Sequence, residues 1–306
     1  MCLILVAWRT HPDFPLVVAA NRDEFRNRPS APASFWNDIP SVLAGRDLVA
    51  GGTWLGISRD GRFAALTNFR DPSRIDPKAP SRGALVADFL AGQQDATDYA
   101  HMLEASGARY NGFNILMTDG RCLCWYSNIG NRSRVLSPGI YGVSNDLLDT
   151  PWPKVRDAKS ALGVALTALP DDKALFELLR DDRIHPDDQL PRTGVSLELE
   201  RMLSAAFIVG QDYGTRSSTV VTISSGGRTC LDEREWGDDG IAGGRRRFVF
   251  SSQGAWSGGG AVCLPPERHP RRHKNQKSDK SLPPESARAA SSMRSFAIRL
   301  RPADCP

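Results

Sequence analysis

An uncharged apolar run from Leu3 to Trp8 and a second from Pro15 to Ala20 are separated by Thr10-His11-Pro12-Asp13, a stretch of turn formers. Two such runs around a polar break predict an antiparallel hairpin. About a turn centred near Pro12, the numbers of paired residues sum to about 24, a consequence of hairpin geometry. Cys2 then falls beside Asn21-Arg22-Asp23-Glu24, a polar cluster delivered to the end of the first strand. By itself, such a charged tetrapeptide reads as a solvated turn.

The pattern continues with strands at 54–58 and 63–68, joined by the turn Arg59-Asp60-Gly61-Arg62. Helical spacing follows at 81–91 and 95–105, with Ser81 and Asp95 as caps and Gly92 and Gly107 as stops. Strands return at 113–118 and 121–126, a second helical pair occupies 154–169 and 172–179, and strands reappear at 205–209 and 219–223. Strands, helices, strands, helices, strands in mostly antiparallel order predict an α+β fold with helices covering sheets.

The 306 residues, 41% of them hydrophobic, suffice for a sizeable core. The formal net charge of +4 is unevenly spread: residues 251–306 hold 10 Lys and Arg against 4 Asp and Glu, leaving 29 against 31 in the first 250. That first part has no polycationic footprint, so no nucleic-acid role is expected. The remainder carries Gly258-Gly259-Gly260, Pro265-Pro266, Arg271-Arg272-His273-Lys274 and Pro283-Pro284, a mixture too poor in apolar surface to offset ordering. One domain over 1–250 and a disordered basic tail over 251–306 are therefore expected. No 18-residue apolar run exists, so no transmembrane segment is expected, and Met1 to Val6 is too short for a signal peptide's apolar stretch. A cytoplasmic location follows as the default; nothing in the sequence sets an oligomeric state.

Six cysteines are present, at 2, 122, 124, 230, 263 and 305. Cys122-Leu123-Cys124 puts two side chains on one face of a strand with no second pair to complete a zinc site, so a buried thiol pair is expected and neither metal nor cofactor. The five His are scattered, which argues against a Cys-His dyad. Cys2 is different. Methionine is normally removed before a small residue, which would expose an amine and a thiol on one residue. These titrate near ~7.7–8.0 and ~8.5 in unperturbed peptides, so one takes the other's proton at little cost.

The blocks Asn21-Arg22-Asp23-Glu24, Gly51-Gly52-Thr53-Trp54-Leu55-Gly56, Leu66-Thr67-Asn68-Phe69-Arg70, Tyr110-Asn111-Gly112-Phe113-Asn114, Gly142-Val143-Ser144-Asn145, Leu148-Asp149-Thr150-Pro151-Trp152-Pro153-Lys154-Val155 and Tyr213-Gly214-Thr215-Arg216-Ser217-Ser218-Thr219-Val220 follow Met1-Cys2 in that order. Together they resemble the NRDE family, also called the transport and Golgi organization family, over about residues 1 to 250. That family in turn resembles the N-terminal nucleophile hydrolases of the penicillin V acylase and bile salt hydrolase group, which implies a four-layer α-β-β-α sandwich. The resemblance implies catalytic roles for Cys2, Asp23 or Glu24, Asn68, Asn145 and Arg216. Asn21, Arg22, Glu24, Trp54 and Arg70, in the same blocks, become candidate binding residues. The group's spacing of Arg and Asp, with two residues between them, is not reproduced by the adjacent Arg22 and Asp23.

A tetrahedral oxyanion formed by attack of the Cys2 thiolate needs preorganised donors about 2.7–3.1 Å away, which Asn68 and Asn145 can supply. Asp23 suits an acceptor for the α-amine, and Arg216 a cation beside the sulfur or a substrate carboxylate. Each also has a plain account: Asn68 capping the turn before Asp71-Pro72, Asn145 starting a turn, Arg216 a strand-edge charge. Two functional classes follow. One is a Cys-dependent hydrolase or acyltransferase of a linear amide or thioester; the other is a non-catalytic handler of haem or acyl-CoA using the same cleft.

Overall fold

A computed structural model describes residues 2–252 and Trp256. The expected tail over 251–306, apart from Ser251, Ser252 and Trp256, lies outside the described residues.

The first hairpin pairs β1 (Cys2–Trp8) with β2 (Leu16–Phe25), Cys2 standing opposite Arg22 in the register whose numbers sum to 24. β2 runs on through Phe25, so the polar tetrapeptide is strand rather than turn. Four more strands follow, β3 (Ser30–Phe35), β4 (Val42–Asp47), β5 (Leu55–Ser58) and β6 (Phe63–Asn68). The helices α1 (Gly83–Ala91) and α2 (Ala96–Ser106) come next; the Asp95 carboxylate accepts from the Asp98 amide to cap the latter. β7 (Phe113–Thr118), β8 (Leu123–Ser127), β9 (Arg132–Leu136) and β10 (Gly139–Val143) precede α3 (Pro153–Ala165) and α4 (Lys173–Leu178). The chain ends its described course with α5 (Leu197–Ser204), β11 (Tyr213–Ile223), β12 (Arg228–Trp236) and β13 (Ala242–Ser251).

The strands form two antiparallel sheets, β10-β1-β2-β11-β12-β13 and β3-β4-β5-β6-β7-β8-β9. Alternation along β1 shows how they stack. Ile4, Val6 and Trp8 join Ile57, Phe63 and Leu116 of the other sheet in one cluster, whereas Leu3, Leu5 and Ala7 pack with Val155, Ala158 and Leu162 of α3. On the far side, α1 and α2 bury Leu85, Phe89 and Leu103 against Ala64, Ile115 and Met117. The order is helices, sheet, sheet, helices, the four-layer α-β-β-α arrangement expected. Trp256 closes one end of the inter-sheet layer, its ring edge-on to Trp8 at 5.8 Å and its Nε1 donating to Gly61 O at 3.1 Å.

Two expectations are corrected. Residues 205–209 are buried for most of their length but form no strand: the Phe207 amide donates to Asp181 O and the Ile208 amide to Thr215 Oγ1, so the apolar run is a packed connection without a ladder. Cys122 and Cys124 both face the α1–α2 layer, yet Cys122 is disulfide-bonded, so Cys124 is a free thiol without the thiol partner expected. Burial pushes the Cys124 thiol up to about 12, which leaves it inert at neutral pH.

Candidate functional site

The inter-sheet layer changes character at the end where β1 begins. Along β2, Leu16, Val18 and Ala20 give way on the same face to Arg22 and Glu24, whose side chains approach to 3.6 Å. Cys2 shares the side of Ile4 and Val6 and stands directly across from Arg22. Burial pushes its thiol up, and the Asp23 carboxylate adds to that; the chain's terminal amine, the Asp23 backbone N–H and Arg22 pull the other way. The resting sulfur is thus a thiol that needs a base. The Cys2 carbonyl is fixed by Ser144 Oγ, which donates to it at 2.9 Å.

Asn21 and Asp23 point to the opposite face, under the helices. Asn21 Nδ2 donates to Leu179 O and Ala206 O, both at 2.8 Å, and its Oδ1 accepts from Ser218 Oγ at 2.5 Å, so this side chain holds two helix-layer connections onto β2. Asp23 is buried, with Oδ1 accepting from Thr215 Oγ1 at 2.7 Å. Burial drives its carboxyl upward; the terminal amine, Lys154 and the Thr215 hydroxyl oppose that. Glu24, by contrast, accepts from the Phe25 amide at 2.8 Å beside Arg22.

Two cavities open at this end, of opposite chemistry. The first, about 1040 Å³ including its mouth, is walled by Phe25, Phe69, Leu199, Met202, Leu203 and Tyr213, with Asn68, Arg70 and Asn145 on its surface. Asn145 is buried, its Nδ2 donating to Asn68 O at 2.9 Å. Asn68 is half-buried, and its side-chain amide has no hydrogen bond among the described residues. The second cavity, about 800 Å³, is lined by Arg22, Trp54, Arg216, Glu233, Glu235 and Trp236. Arg216 occupies a bulge between Thr215 and Ser217, and its Nη1 donates to the carbonyls of Phe25, Arg26 and Arg28 at 2.9, 3.2 and 3.2 Å. Burial lowers its affinity for the proton, and repulsion from Arg22 and Arg26 lowers it further.

The expected site residues therefore divide. Asn68, Arg70 and Asn145 meet at the apolar cavity; Arg22, Trp54 and Arg216 meet at the charged one. Cys2 links them, opposite Arg22 on one side and tied through Ser144 to the neighbour of Asn145 on the other.

Sequence reasoning missed four groups around this centre: Ser144, Lys154, Glu200 and Thr215. Lys154 follows Pro153 in the first turn of α3, is 3% exposed, and donates to Leu203 O at 2.8 Å. Burial pushes its ammonium down to about 8, against the pull of Asp23. Arg70 Nη1 and Glu200 Oε2 form a buried pair at 2.6 Å, with the guanidinium 4.8 Å from the Trp152 ring. Thr193 donates to the other Glu200 oxygen through its amide at 2.9 Å and its hydroxyl at 2.6 Å. Ser144, Lys154 and Thr215 stand inside the sequence blocks named above, which is the signal that could have found them. Glu200 stands outside those blocks and carries none.

A profile of the family described as Transport and Golgi organisation 2 matches residues 1–238. The bovine (Bos taurus) protein named Transport and Golgi organization protein 2 homolog is 38% identical over 256 residues, covering 76% of this chain and 92% of its own length. The chain belongs to the transport and Golgi organization 2 family. Its human (Homo sapiens) homolog is 37% identical over 265 residues, 79% of this chain and 95% of the human one, and the Drosophila melanogaster protein is 28% identical over 256 residues, 74% and 88%. Among solved structures, the Caenorhabditis elegans N-acylethanolamine-hydrolyzing acid amidase ortholog has a TM-score of 0.41 at 11% identity, covering 72% of this family member and 92% of itself. A C2A mutant of conjugated bile acid hydrolase from Clostridium perfringens has a TM-score of 0.38 at 11% identity, covering 82% and 98%. No helix among the described residues is long and apolar enough to cross a membrane.

Proposed function

We propose that this protein is an N-terminal cysteine hydrolase that cleaves a linear amide or thioester carrying an apolar acyl group. The observation that carries the reading is the seating of Cys2: first residue of a buried strand, thiol hydrogen-bonded by the Asp23 amide, and carbonyl held by Ser144, whose chain neighbour Asn145 lines the apolar cavity together with Asn68. Removal of Met1 exposes the Cys2 α-amine. The amine takes the thiol proton, the thiolate attacks the acyl carbonyl, and the second N–H of Asn145 and the Asn68 amide stabilise the oxyanion. The ammonium then returns its proton to the leaving nitrogen or sulfur as the bond breaks. Water, deprotonated by the same amine, releases the acid from the thioester intermediate. Asp23 rather than Glu24 suits the role of amine acceptor, because its backbone N–H bonds the Cys2 thiol and its carboxylate acts on that sulfur, whereas Glu24 is occupied beside Arg22.

A second reading uses the same apolar cavity, with Arg70, Arg74 and Arg82 around it, to carry haem or an acyl-CoA without cleaving it. Intact-mass measurement and a quenched reaction with a long-chain S-acyl thioester separate the two. A hydrolase begins at Cys2 and shows one acyl mass on its N-terminal peptide, absent in Cys2→Ala. Retention of Met1, or ligand binding with no acyl adduct and no product, leaves only the carrier.

A further inference from the structure

Charged side chains are rarely buried without a partner, yet Arg22, Arg216, Glu233 and Glu235, all buried or half-buried, line the second cavity with no ion pair among them. The register of the first sheet sets them out in order. Cys2 stands opposite Arg22, Arg22 opposite Ser217 and Ser217 opposite Glu235, a single row that runs from the nucleophile across β2, β11 and β12 on the face turned to the other sheet. With strands about 4.8 Å apart, a guanidinium stands one strand from Cys2 and a carboxylate three strands away, about 14 Å. Glu233, two residues back along β12, shares that face and accepts from the Ala33 amide of the other sheet at 2.7 Å.

Neither end of the row is satisfied within the chain. Arg22 is 9% exposed, and among the described residues it makes no hydrogen bond, only the 3.6 Å approach to Glu24. Arg216 uses Nη1 alone, on its three carbonyls. At the far end Glu235 Oε1 is buried and accepts no hydrogen bond among the described residues. Burial pushes the Glu233 carboxyl up and the Glu235 charge adds to that, against the Ala33 amide and Arg22, so this pair calls for a cation. The other charges on the cavity are matched elsewhere, Arg46 by Asp38 and Asp47 by Arg28, each at 2.6 Å. What fits is a molecule negative near the sulfur and positive away from it, and Trp54 offers its ring to the cation on the way.

We propose that the charged cavity receives the leaving group, and that this group is a basic amino acid acylated on its α-amine, with its carboxylate against Arg22 and Arg216 and its side-chain cation between Glu233 and Glu235. This rests on the hydrolase reading above and selects the amide within it. The carboxylate of such a substrate is one carbon removed from the scissile nitrogen, which suits an arginine one strand from Cys2, and the stem of a lysine or arginine carries the cation toward the far end of the row. The acyl chain goes the other way, into the apolar cavity. Attack forms the sulfur–carbon bond of the thioester and breaks the carbon–nitrogen bond; the amino acid leaves with the proton that the thiol gave up, and water then releases the acid. An acidic amino acid in the same place sets like charges against Glu233 and Glu235, and an apolar one leaves Glu235 without a donor.

The test uses the full chain, wild type and Glu235→Gln, and two readings. The first is titration calorimetry with free L-arginine and with L-citrulline, which has nearly the same shape and no charge; the second is hydrolysis of N-lauroyl-L-arginine, N-lauroyl-L-citrulline and a long-chain S-acyl thioester. The wild type should bind L-arginine at least about tenfold more tightly than L-citrulline and favour the arginine conjugate by a similar factor in kcat/KM, as a site with an unmet acceptor does. Glu235→Gln should cut both ratios at least about fivefold. If that variant does not fold, the arginine and citrulline comparison on the wild type decides alone. Equal handling of the two by the wild type, or ratios unmoved in Glu235→Gln, overturns the proposal, and does so while leaving the hydrolase reading in place if the thioester is still cleaved. Selective L-arginine binding, weakened in Glu235→Gln, in a protein that hydrolyses nothing supports the site and overturns only the hydrolase reading.

Discussion

Asn145 Nδ2 donates to Asn68 O at 2.9 Å, and the Arg70 amide donates back to Asn145 O at 2.8 Å. Asn68 ends a strand of one sheet and Asn145 follows a strand of the other. One asparagine thus ties the two sheets together at the mouth of the apolar cavity while keeping a second N–H for a ligand.

Replacing Asn145 should separate chemistry from binding. Asn145→Ala is expected to lower kcat by about 10²–10³, the usual loss for one oxyanion donor, while KM for a long-chain thioester moves less than threefold. Steady-state kinetics on the purified variant decide this. A loss in KM alone, with kcat intact, would remove Asn145 from the reaction and leave it as a tie.

Arg70 and Glu200 are each about 4% exposed as side chains, so neither charge is solvated if the other is removed. Arg70→Met should cost about 3–5 kcal/mol by leaving Glu200 buried and unpaired, whereas Arg70→Met with Glu200→Met should recover most of that. Urea unfolding of the wild type, both single variants and the double variant measures it. A double variant no better than the sum of the singles would mean that the pair is not coupled.

Trp256 lies beyond the boundary at 250 that composition suggests, and it is 6% exposed against Trp8. Trp256→Ala should destabilise by about 3–5 kcal/mol, as large core truncations do, and ending the chain at 252 should cost as much. Gly61→Ala offers an independent check: Gly61 has a φ of +86°, and a Cβ there would lie 2.4 Å from Trp256 Nε1. Its thermal midpoint should fall as well.

The first hairpin was legible because both runs are apolar and the break between them is short, which leaves one register for pairing. The remainder of β2 was not, because Asn21, Arg22, Asp23 and Glu24 are buried polar residues, and the partners of Asn21 and Asp23 come from Leu179, Ala206 and Thr215, far along the chain. β12 escaped notice for the same reason: Asp232 is buried under Arg245 and Arg247, and Glu233 accepts from the Ala33 amide at 2.7 Å, so a charged string behaves as core. Periodicity reads solvation, and these charges are solvated by protein. The asparagines at the apolar cavity were reached only through the resemblance of whole sequence blocks, and Lys154 was missed because a lysine in a first helical turn ordinarily faces water.

The bulge in β11 separates two jobs that a strand residue normally performs at once. Thr215 pairs with Asp23 and Ser217 with Arg22, so the ladder on both sides is complete without Arg216. Deleting that residue would leave every other partner of the strand in place and withdraw only a guanidinium and the three carbonyl bonds it makes. The sheet places no demand on what stands there. An arginine at such a position answers to the charged cavity and to the three carbonyls that follow β2, and exchanging it is a way to rewrite the cavity's ligand preference while leaving the strand ladder in place.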